Sequence, residues 1–334
     1  MEKQTKVFNW QEEEMKMQIS SIDHIHVFQT DLEEAVRFFS DIFNCRWVGP
    51  IERPQISVRT AFSENGIEII QPTVPDDKLG ISKYIEKHGI GIGTLGLKVP
   101  DIEKAIAEFE SMGVVLLERG SYATRANIDV KAAVFTSESA YGVPFELVEY
   151  GNMAPMGIAG LNWIHKMPWM QSAIKTKSAT NIKAERINNI TFFQDDLNDS
   201  TRFFASLLGI RWIGPVELKH LKIKIAFSDA GINIIQPIGR DNFGILEYMK
   251  KNGKGIGSIG VKVPDIEKAI LELESKKVRL IGSGAFTGKQ NGDLKLAFFD
   301  PETSYGIMIE LVEFQNYTPV VLANLNWVQK LPWI

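Results

Sequence analysis

The chain has 334 residues, a net charge of −4 at neutral pH and 44% hydrophobic residues, which is the composition of a globular protein of roughly two domains. Acidic and basic residues are interspersed and the charged N-terminal segment has no apolar core, so we expect no nucleic-acid partner, no membrane association and no signal peptide. The single cysteine excludes an internal disulfide, and we therefore predict a cytoplasmic protein.

The first predicted unit is a strand and a helix followed by three strands. Alternating residues predict a strand over 22–28, and Asp31 with Glu34 forms a capping box that starts a helix. Short alternating runs separated by Pro and Gly predict the remaining strands, over 45–51, 56–62 and 66–71. The apolar positions of the helix fall on one face: Leu32, Ala35, Val36, Phe39 and Phe43.

The second unit has the same order of elements. A strand is predicted over 93–99, and Pro100 and Asp101 open a helix that runs to about residue 112. The remaining strands are predicted over 114–118, 130–135 and 145–150.

The whole pattern then occurs a second time. GIGTLGLKVPDIEKAI returns as GIGSIGVKVPDIEKAI, and YGVPFELVEY returns as YGIMIELVEF. His24 and Glu68 are 44 residues apart, as are Asn189 and Asn233, so matched residues are expected to occupy matched sites. Positions that differ between the copies are then candidates for function that one copy has gained or lost.

These patterns predict an α+β fold of two tandem copies, each made of two βαβββ units. The predicted domains are an N-terminal arm over 1–19, a first barrel over 20–153, a linker over 154–184, a second barrel over 185–316 and a C-terminal aromatic tail over 317–334. The linker and the tail share the motif LNW..K.PW, and its tryptophans are expected to pack on or between the barrels: Trp163, Trp169, Trp327 and Trp333.

Alternation along the first strand of each copy assigns its two faces. Ile25 and Val27 share one face, while His24, His26 and Phe28 share the other. The apolar face is expected to receive the helices. The mixed face suits a concave cup that binds a small molecule. Glu146, on the last strand of the first copy, is flanked by apolar residues, and its carboxylate is costly to bury there without a cation or hydrogen-bond donors.

Here the residues resemble a known family. Four strand–helix–three-strand units are similar to the vicinal oxygen chelate superfamily, and ISKYIEKHGIGIGTLGLKVPDIEKAI and GVPFELVEY look most like its methylmalonyl-CoA epimerase and glyoxalase I members. The resemblance implies that the α+β fold consists of tandem half-open barrels, each made of two βαβββ units, and that such a barrel holds one divalent metal with ligands from the first and fourth strands of each unit. Those positions are His24, Glu68, Glu146 and Thr94, where the family has His. The second copy has Asn189, Asn233, Ser258 and Glu310 there.

The resemblance implies a metal-dependent epimerase, isomerase or lyase acting on a small oxygenated metabolite. His24, Glu68 and Glu146 would bind Mn²⁺, Co²⁺, Ni²⁺, Fe²⁺ or Mg²⁺, and Glu146 or Glu68 would move a proton next to a substrate carbonyl. Because the second copy keeps only the Glu310 carboxylate, we expect the first barrel to be active and the second to be structural.

Two other functions stay open. In a metal-free binding protein of the resistance or sequestration type, His24 would hydrogen-bond within the cup and Glu146 would pair with Lys98. An extradiol-type dioxygenase would need two His and one Glu, and His26 would have to be the second His, which strand geometry makes awkward. His26 is alternatively a hydrogen-bond donor to a metal ligand or a substitute ligand, although the pattern favours a core histidine with its hydrogen bonds satisfied.

The pairing of the units is a further open point. Short loops within each copy favour barrels built from adjacent units, whereas exchanged pairing would join the first unit to the fourth. In either case we expect a small-molecule substrate or ligand as the partner, and a homodimer remains open.

Overall fold

The computed structural model describes residues 21–43, 45–63, 66–123, 129–151, 187–228, 230–240, 243–287 and 293–314. These residues form two curled sheets of eight strands with six α-helices, so the predicted α+β fold of tandem half-open barrels is confirmed. The predicted arm, linker and C-terminal tail all lie outside the described residues, as do Trp163, Trp169, Trp327 and Trp333. Among the described helices, none is both long and apolar enough to span a lipid bilayer.

The first barrel contains strands β1 to β8 and helices α1 to α3. In chain order they are β1 Ser21–Phe28, α1 Leu32–Phe43, β2 Trp47–Arg53, β3 Val58–Ser63, β4 Ile67–Pro72, α2 Ile81–His88, β5 Gly91–Lys98, α3 Ile102–Ser111, β6 Leu116–Ala123, β7 Asp129–Phe135 and β8 Phe145–Glu149.

The second barrel repeats this order with strands β9 to β16 and helices α4 to α6. In chain order they are β9 Ile187–Phe193, α4 Leu197–Leu208, β10 Trp212–Leu218, β11 Ile223–Ser228, β12 Ile232–Pro237, α5 Ile245–Asn252, β13 Gly255–Lys262, α6 Ile266–Ser275, β14 Leu280–Thr287, β15 Asp293–Phe299 and β16 Met308–Glu313. A short 3₁₀ turn covers Pro301–Thr303.

Helices α2 and α5 were absent from the sequence prediction. Each has eight residues and follows a glycine in the left-handed conformation, Gly80 with φ 70° and Gly244 with φ 72°. Each also has only one fully buried apolar residue, Ile81 or Ile245, so the sequence carries little helical periodicity there.

Strand order shows which units share a sheet. The first sheet has the order β2-β3-β4-β1-β5-β8-β7-β6, and β1 pairs antiparallel with β5, so the two adjacent units form one barrel. The second barrel has the same order, and the exchanged pairing is therefore wrong. The central strands β4, β1, β5 and β8 run side by side through the middle of the first cup.

Helices α1 and α3, with their counterparts α4 and α6, cover the outer, apolar face of each sheet, whereas α2 and α5 pack against cup-face residues such as Phe28 and Phe193. The Asp31 carboxylate accepts a hydrogen bond from the Glu34 amide at 2.8 Å, and Asp101 accepts one from Lys104 at 3.1 Å, which caps α1 and α3 as predicted. Below the caps the buried face of α1 packs on the sheet through Val36 and Phe39. One apolar core runs through both barrels.

The two barrels contact each other through matched hydrogen bonds. The Gln29 side chain donates to the Tyr305 carbonyl at 2.8 Å, and its counterpart Gln194 donates to the Tyr141 carbonyl at 3.0 Å. Tyr141 in turn donates through its hydroxyl to Asp199. The interface therefore repeats the same contact in both directions, as a symmetric dimer would.

Candidate metal site

The register of the four central strands brings the predicted site residues to one level of the first cup. Glu68 on β4 lies opposite His26 on β1, His24 lies opposite Gly96 on β5, and Gly96 lies opposite Glu146 on β8. Directly opposed residues project from the same face of a sheet, so these side chains converge in the cup.

Gly96 provides the space for the His24 ring. A Cβ atom at Gly96 would lie 2.7 Å from both nitrogens of that ring, well inside ordinary van der Waals contact. The matched Gly260 makes the same space for Asn189 in the second barrel. A glycine at this position is therefore required for an inward side chain on the neighbouring strand.

The side chains of His24, His26, Glu68 and Glu146 form a cluster in which each ligand atom lies within hydrogen-bonding distance of at least one other. The Nε2 atom of His24 is 2.9 Å from Glu146 Oε2 and 2.8 Å from His26 Nε2. Glu68 Oε2 is 3.2 Å from His26 Nε2 and 3.7 Å from His24 Nε2. The structure thus brings together all three residues predicted as ligands, and it adds His26.

His26 is the member of this cluster that sequence reasoning left outside the ligand set. The prediction that strand geometry makes it awkward as a second histidine is wrong, because His24, His26 and Glu146 have ligand atoms that all lie within 4.8 Å of one another. The available signal was the alternation that puts residues 24 and 26 on the same face.

The alternative ion pair between Glu146 and Lys98 is not formed. Glu146 instead contacts the two imidazoles, while the Lys98 ammonium donates to the Gly151 carbonyl at 2.7 Å. The carboxylate is thus directed at the histidines in the cup.

Thr94 occupies the position where the resemblance implies a histidine. It is buried on β5 between Ile92, which pairs with Val27, and Leu95, which pairs with Ile25. Thr94 therefore lies beside His26. The second barrel has the same arrangement, since Ser258 lies directly opposite Thr191. An imidazole from residue 26 therefore enters the part of the cup that a histidine at residue 94 would reach.

The spacing of the donor atoms fits a divalent metal. Ligands bound at about 2.1 Å and about 90° apart are separated by about 3.0 Å. The separations among His24, His26 and Glu146 are 2.8, 2.9 and 3.3 Å. Two imidazole nitrogens and a carboxylate are also the donor types that Fe²⁺, Mn²⁺, Co²⁺, Ni²⁺ and Zn²⁺ accept.

The imidazoles and the carboxylates of the cup stabilise each other's charged forms. Burial disfavours a charge on His24, but hydrogen bonds to Asp23 and Glu146 outweigh it and raise the pKa of His24 well above its ordinary value. Burial likewise opposes the charge on His26, while Glu146 and Glu68 raise the pKa of that imidazole. Burial would raise the pKa of Glu146, yet His26 and His24 hold the pKa of that carboxyl far below its usual range.

The matched position of the second barrel holds a neutral polar network. Asn189, Thr191 and Ser258 each donate a hydrogen bond to Glu310 Oε2, at 3.1, 2.9 and 3.1 Å. Burial raises the pKa of the Glu310 carboxyl in spite of these donors. With amides and hydroxyls in place of imidazoles, this site lacks the donor set of the first barrel.

The two cups also differ in how they are filled. A Cβ atom at Gly120 in the first cup would meet nothing within 4 Å, whereas at the matched Gly284 it would lie 3.1 Å from Leu221 and 3.3 Å from Phe243. The neighbouring Ala132 and Val134 correspond to Leu296 and Phe298, which are 5% and 0% exposed. Among the described residues, larger apolar side chains thus fill the second cup, whereas the first has open space at Gly120.

The sequence matches the family described as the Glyoxalase/Bleomycin resistance protein/Dioxygenase superfamily over residues 23–132 and 189–315. The chain belongs to this superfamily. The predicted resemblance is confirmed, and the match covers most of the second barrel and the first barrel up to residue 132, so that β8 lies outside it.

The chain is similar in sequence to methylmalonyl-CoA epimerases and similar in structure to a 4-hydroxymandelate synthase. Mitochondrial methylmalonyl-CoA epimerase from Bos taurus is 26% identical over 130 residues, 38% of this chain and 73% of that protein, and the Homo sapiens enzyme is 25% identical over 130 residues, 38% of this chain and 72% of that protein. A mutant of 4-hydroxymandelate synthase from Streptomyces coelicolor superposes with a TM-score of 0.61 at 14% identity, covering 94% of this superfamily member and all of that chain. The last likeness shows the tandem fold alone.

Proposed function

We propose that this chain is a metal-dependent epimerase, isomerase or lyase of the superfamily. Its first barrel would act on a small oxygenated metabolite. The observation that carries the proposal is the cluster of His24, His26 and Glu146, whose donor atoms are spaced as metal ligands are. The space at Gly120 in the first cup and the larger side chains in the second cup support a single site per chain. The cytoplasmic location stays a prediction from the sequence.

In this proposal His24, His26 and Glu146 hold the metal, and His26 takes the place of the imidazole missing at Thr94. A divalent cation there would stabilise negative charge on a substrate oxygen as a Lewis acid. Glu68 is the residue proposed to move a proton, because its Oε2 atom reaches His26 at 3.2 Å but is 3.7 Å from His24. It is thus the carboxylate at the margin of the cluster, where a substrate proton would be within its reach.

The first experiment counts metal. Wild-type chain is equilibrated anaerobically with excess Mn²⁺, Fe²⁺ or Ni²⁺, desalted and analysed, beside a variant with His24→Asn and Glu68→Asn. These changes copy Asn189 and Asn233, which the fold accepts at the matched positions. We expect about one metal per chain in the wild type and none in the variant. No metal in the wild type, or full retention in the variant, would favour the metal-free binding function instead.

The second experiment tests the proton transfer. Loaded enzyme is incubated in D₂O with compounds that carry a C–H next to a carbonyl, including methylmalonyl-CoA, and deuterium incorporation is measured. Glu68→Gln should keep the metal and lose the exchange, whereas Glu146→Gln should lose both. Exchange that continues at the wild-type rate in Glu68→Gln would exclude Glu68 as the base.

An oxygenase is the second candidate, because two imidazoles with one carboxylate are the donor set of non-haem Fe²⁺ oxygenases. Oxygen uptake by the Fe²⁺-loaded chain with catechol or 4-hydroxyphenylpyruvate, without deuterium exchange in the previous assay, would favour this reaction class over the first.

A further inference from the structure

A line of hydrogen bonds leads from His24 away from the cup. The Nδ1 atom of His24 donates to Asp23 Oδ2 at 2.7 Å, and the other oxygen of Asp23 accepts a hydrogen bond from the Tyr150 hydroxyl. The side chains of Asp23 and His24 are only 7% and 6% exposed, so water competes little for these bonds. The arrangement fixes both the rotation of the His24 ring and the nitrogen that carries the proton.

Tyr150 is itself held in place by a cation. The Lys98 ammonium lies 4.3 Å from the centre of the Tyr150 ring and donates to the Gly151 carbonyl. In the second barrel Lys262 lies 4.4 Å from the centre of the Phe314 ring in the same way. The contact between cation and ring is therefore common to both barrels, whereas the hydroxyl belongs to the first alone.

The other members of the line change together with that hydroxyl. Asn188 stands at the position of Asp23, and Asn189 at the position of His24. The Asn188 side chain donates to Asn189 Oδ1 at 2.9 Å, so the second barrel folds with a neutral pair in the same place. The fold itself consequently requires neither the Asp23 carboxylate nor the Tyr150 hydroxyl.

We propose that Asp23 and Tyr150 are positioning residues that hold the His24 imidazole with its Nε2 lone pair directed at the metal. This inference rests on the proposed function of the first barrel. A carboxylate that accepts a hydrogen bond from Nδ1–H leaves the Nε2 lone pair free to bind a cation. It also makes Nε2 a better metal ligand. Tyr150 fixes the carboxylate in turn, because its hydroxyl occupies the second oxygen and Lys98 restrains the ring.

The test is a Co²⁺ titration of the full chain, followed by visible absorption, with the wild type, Asp23→Asn and Tyr150→Phe. We expect Co²⁺ to bind Asp23→Asn about 10–100-fold more weakly, with a changed absorption spectrum. Tyr150→Phe, which copies Phe314, should weaken binding in the same direction but less. Asn188→Asp is the matched control and should leave both the affinity and the spectrum unchanged.

Three outcomes are informative. Weaker binding with an altered spectrum in both first-barrel variants, while each melts cooperatively, supports the positioning role, because a purely structural role would not move the Co²⁺ spectrum. Wild-type affinity and spectrum in Tyr150→Phe and Asp23→Asn overturn the inference and leave the proposed function intact. A wild-type chain that binds no Co²⁺, Mn²⁺ or Fe²⁺ overturns the proposed function and this inference with it.

Discussion

Gly96→Ala should separate metal binding from folding in the first barrel. The new Cβ atom would lie 2.4 Å from Cε1 of the His24 ring and 2.7 Å from both ring nitrogens, where ordinary contacts are 3.4–4 Å. The ring must therefore move by about 1 Å, from 2.4 to 3.4 Å, although bonds of 2.7 Å to Asp23 and 2.9 Å to Glu146 hold it on either side. Ligand distances tolerate only about 0.2 Å, so we expect at least about a tenfold loss of metal affinity.

The matched variant Gly260→Ala controls for the cost of overpacking. Its Cβ atom would lie 2.5 Å from Asn189 Nδ2, so the second barrel is crowded to a similar extent. Each variant is expected to lose about 1–3 kcal/mol of folding stability. Urea unfolding measures this loss, and Mn²⁺ titration by calorimetry measures the affinity.

The comparison of the two variants is decisive. Equal stability losses with weakened Mn²⁺ binding only in Gly96→Ala would agree with the role assigned to the His24 ring. Unchanged Mn²⁺ affinity in Gly96→Ala would show that the ring is not a ligand, and equal weakening in both variants would show that the effect is global.

Three further predictions address the ligand exchange, the cup and the second barrel. His26→Thr should abolish metal binding, and adding Thr94→His should restore part of it, which metal analysis of both variants measures. No recovery would mean that an imidazole at residue 94 does not replace the one at residue 26. Ala132→Leu with Val134→Phe copies the filled second cup, so it should keep the metal and lose deuterium exchange or ligand binding, and wild-type exchange would contradict a substrate site there. Because burial raises the pKa of Glu310, the folded chain holds this proton more tightly than the unfolded chain, and the stability it contributes is full at low pH and lost as pH rises through the folded pKa. The stability of Glu310→Gln relative to the wild type should therefore be higher at pH 8 than at pH 5 in urea unfolding, and an equal difference at both pH values would refute this.

The order of elements could be predicted because it depends on local signals. Alternation identified the strands, and Asp31 and Asp101 marked helix starts that the structure shows as capped. Helices α2 and α5 escaped detection because their burial depends on one residue each, Ile81 and Ile245. Adjacent pairing was favoured by loop length, but only the pairing of β1 with β5 established it.

The site was predictable in part. His24, Glu68 and Glu146 followed from the resemblance, and the same face of β1 was known to carry His26. The sequence did not reveal that Gly96 provides space for the His24 ring, or that Thr94 on β5 lies beside the His26 ring. As a result the Nε2 atoms of the two rings lie 2.8 Å apart. Convergence of this kind depends on strand register to within one residue, and a pattern read along one strand does not contain it.

The matched contacts of Gln29 with Tyr305 and of Gln194 with Tyr141 join two halves of a single polypeptide. In a homodimer every substitution enters the assembly twice, so a change that damages a binding site damages both copies. Here the two halves mutate independently while the shared interface is kept. One half is thus free to exchange imidazoles for amides and to fill its cup, and the other half retains a folded partner throughout such a divergence.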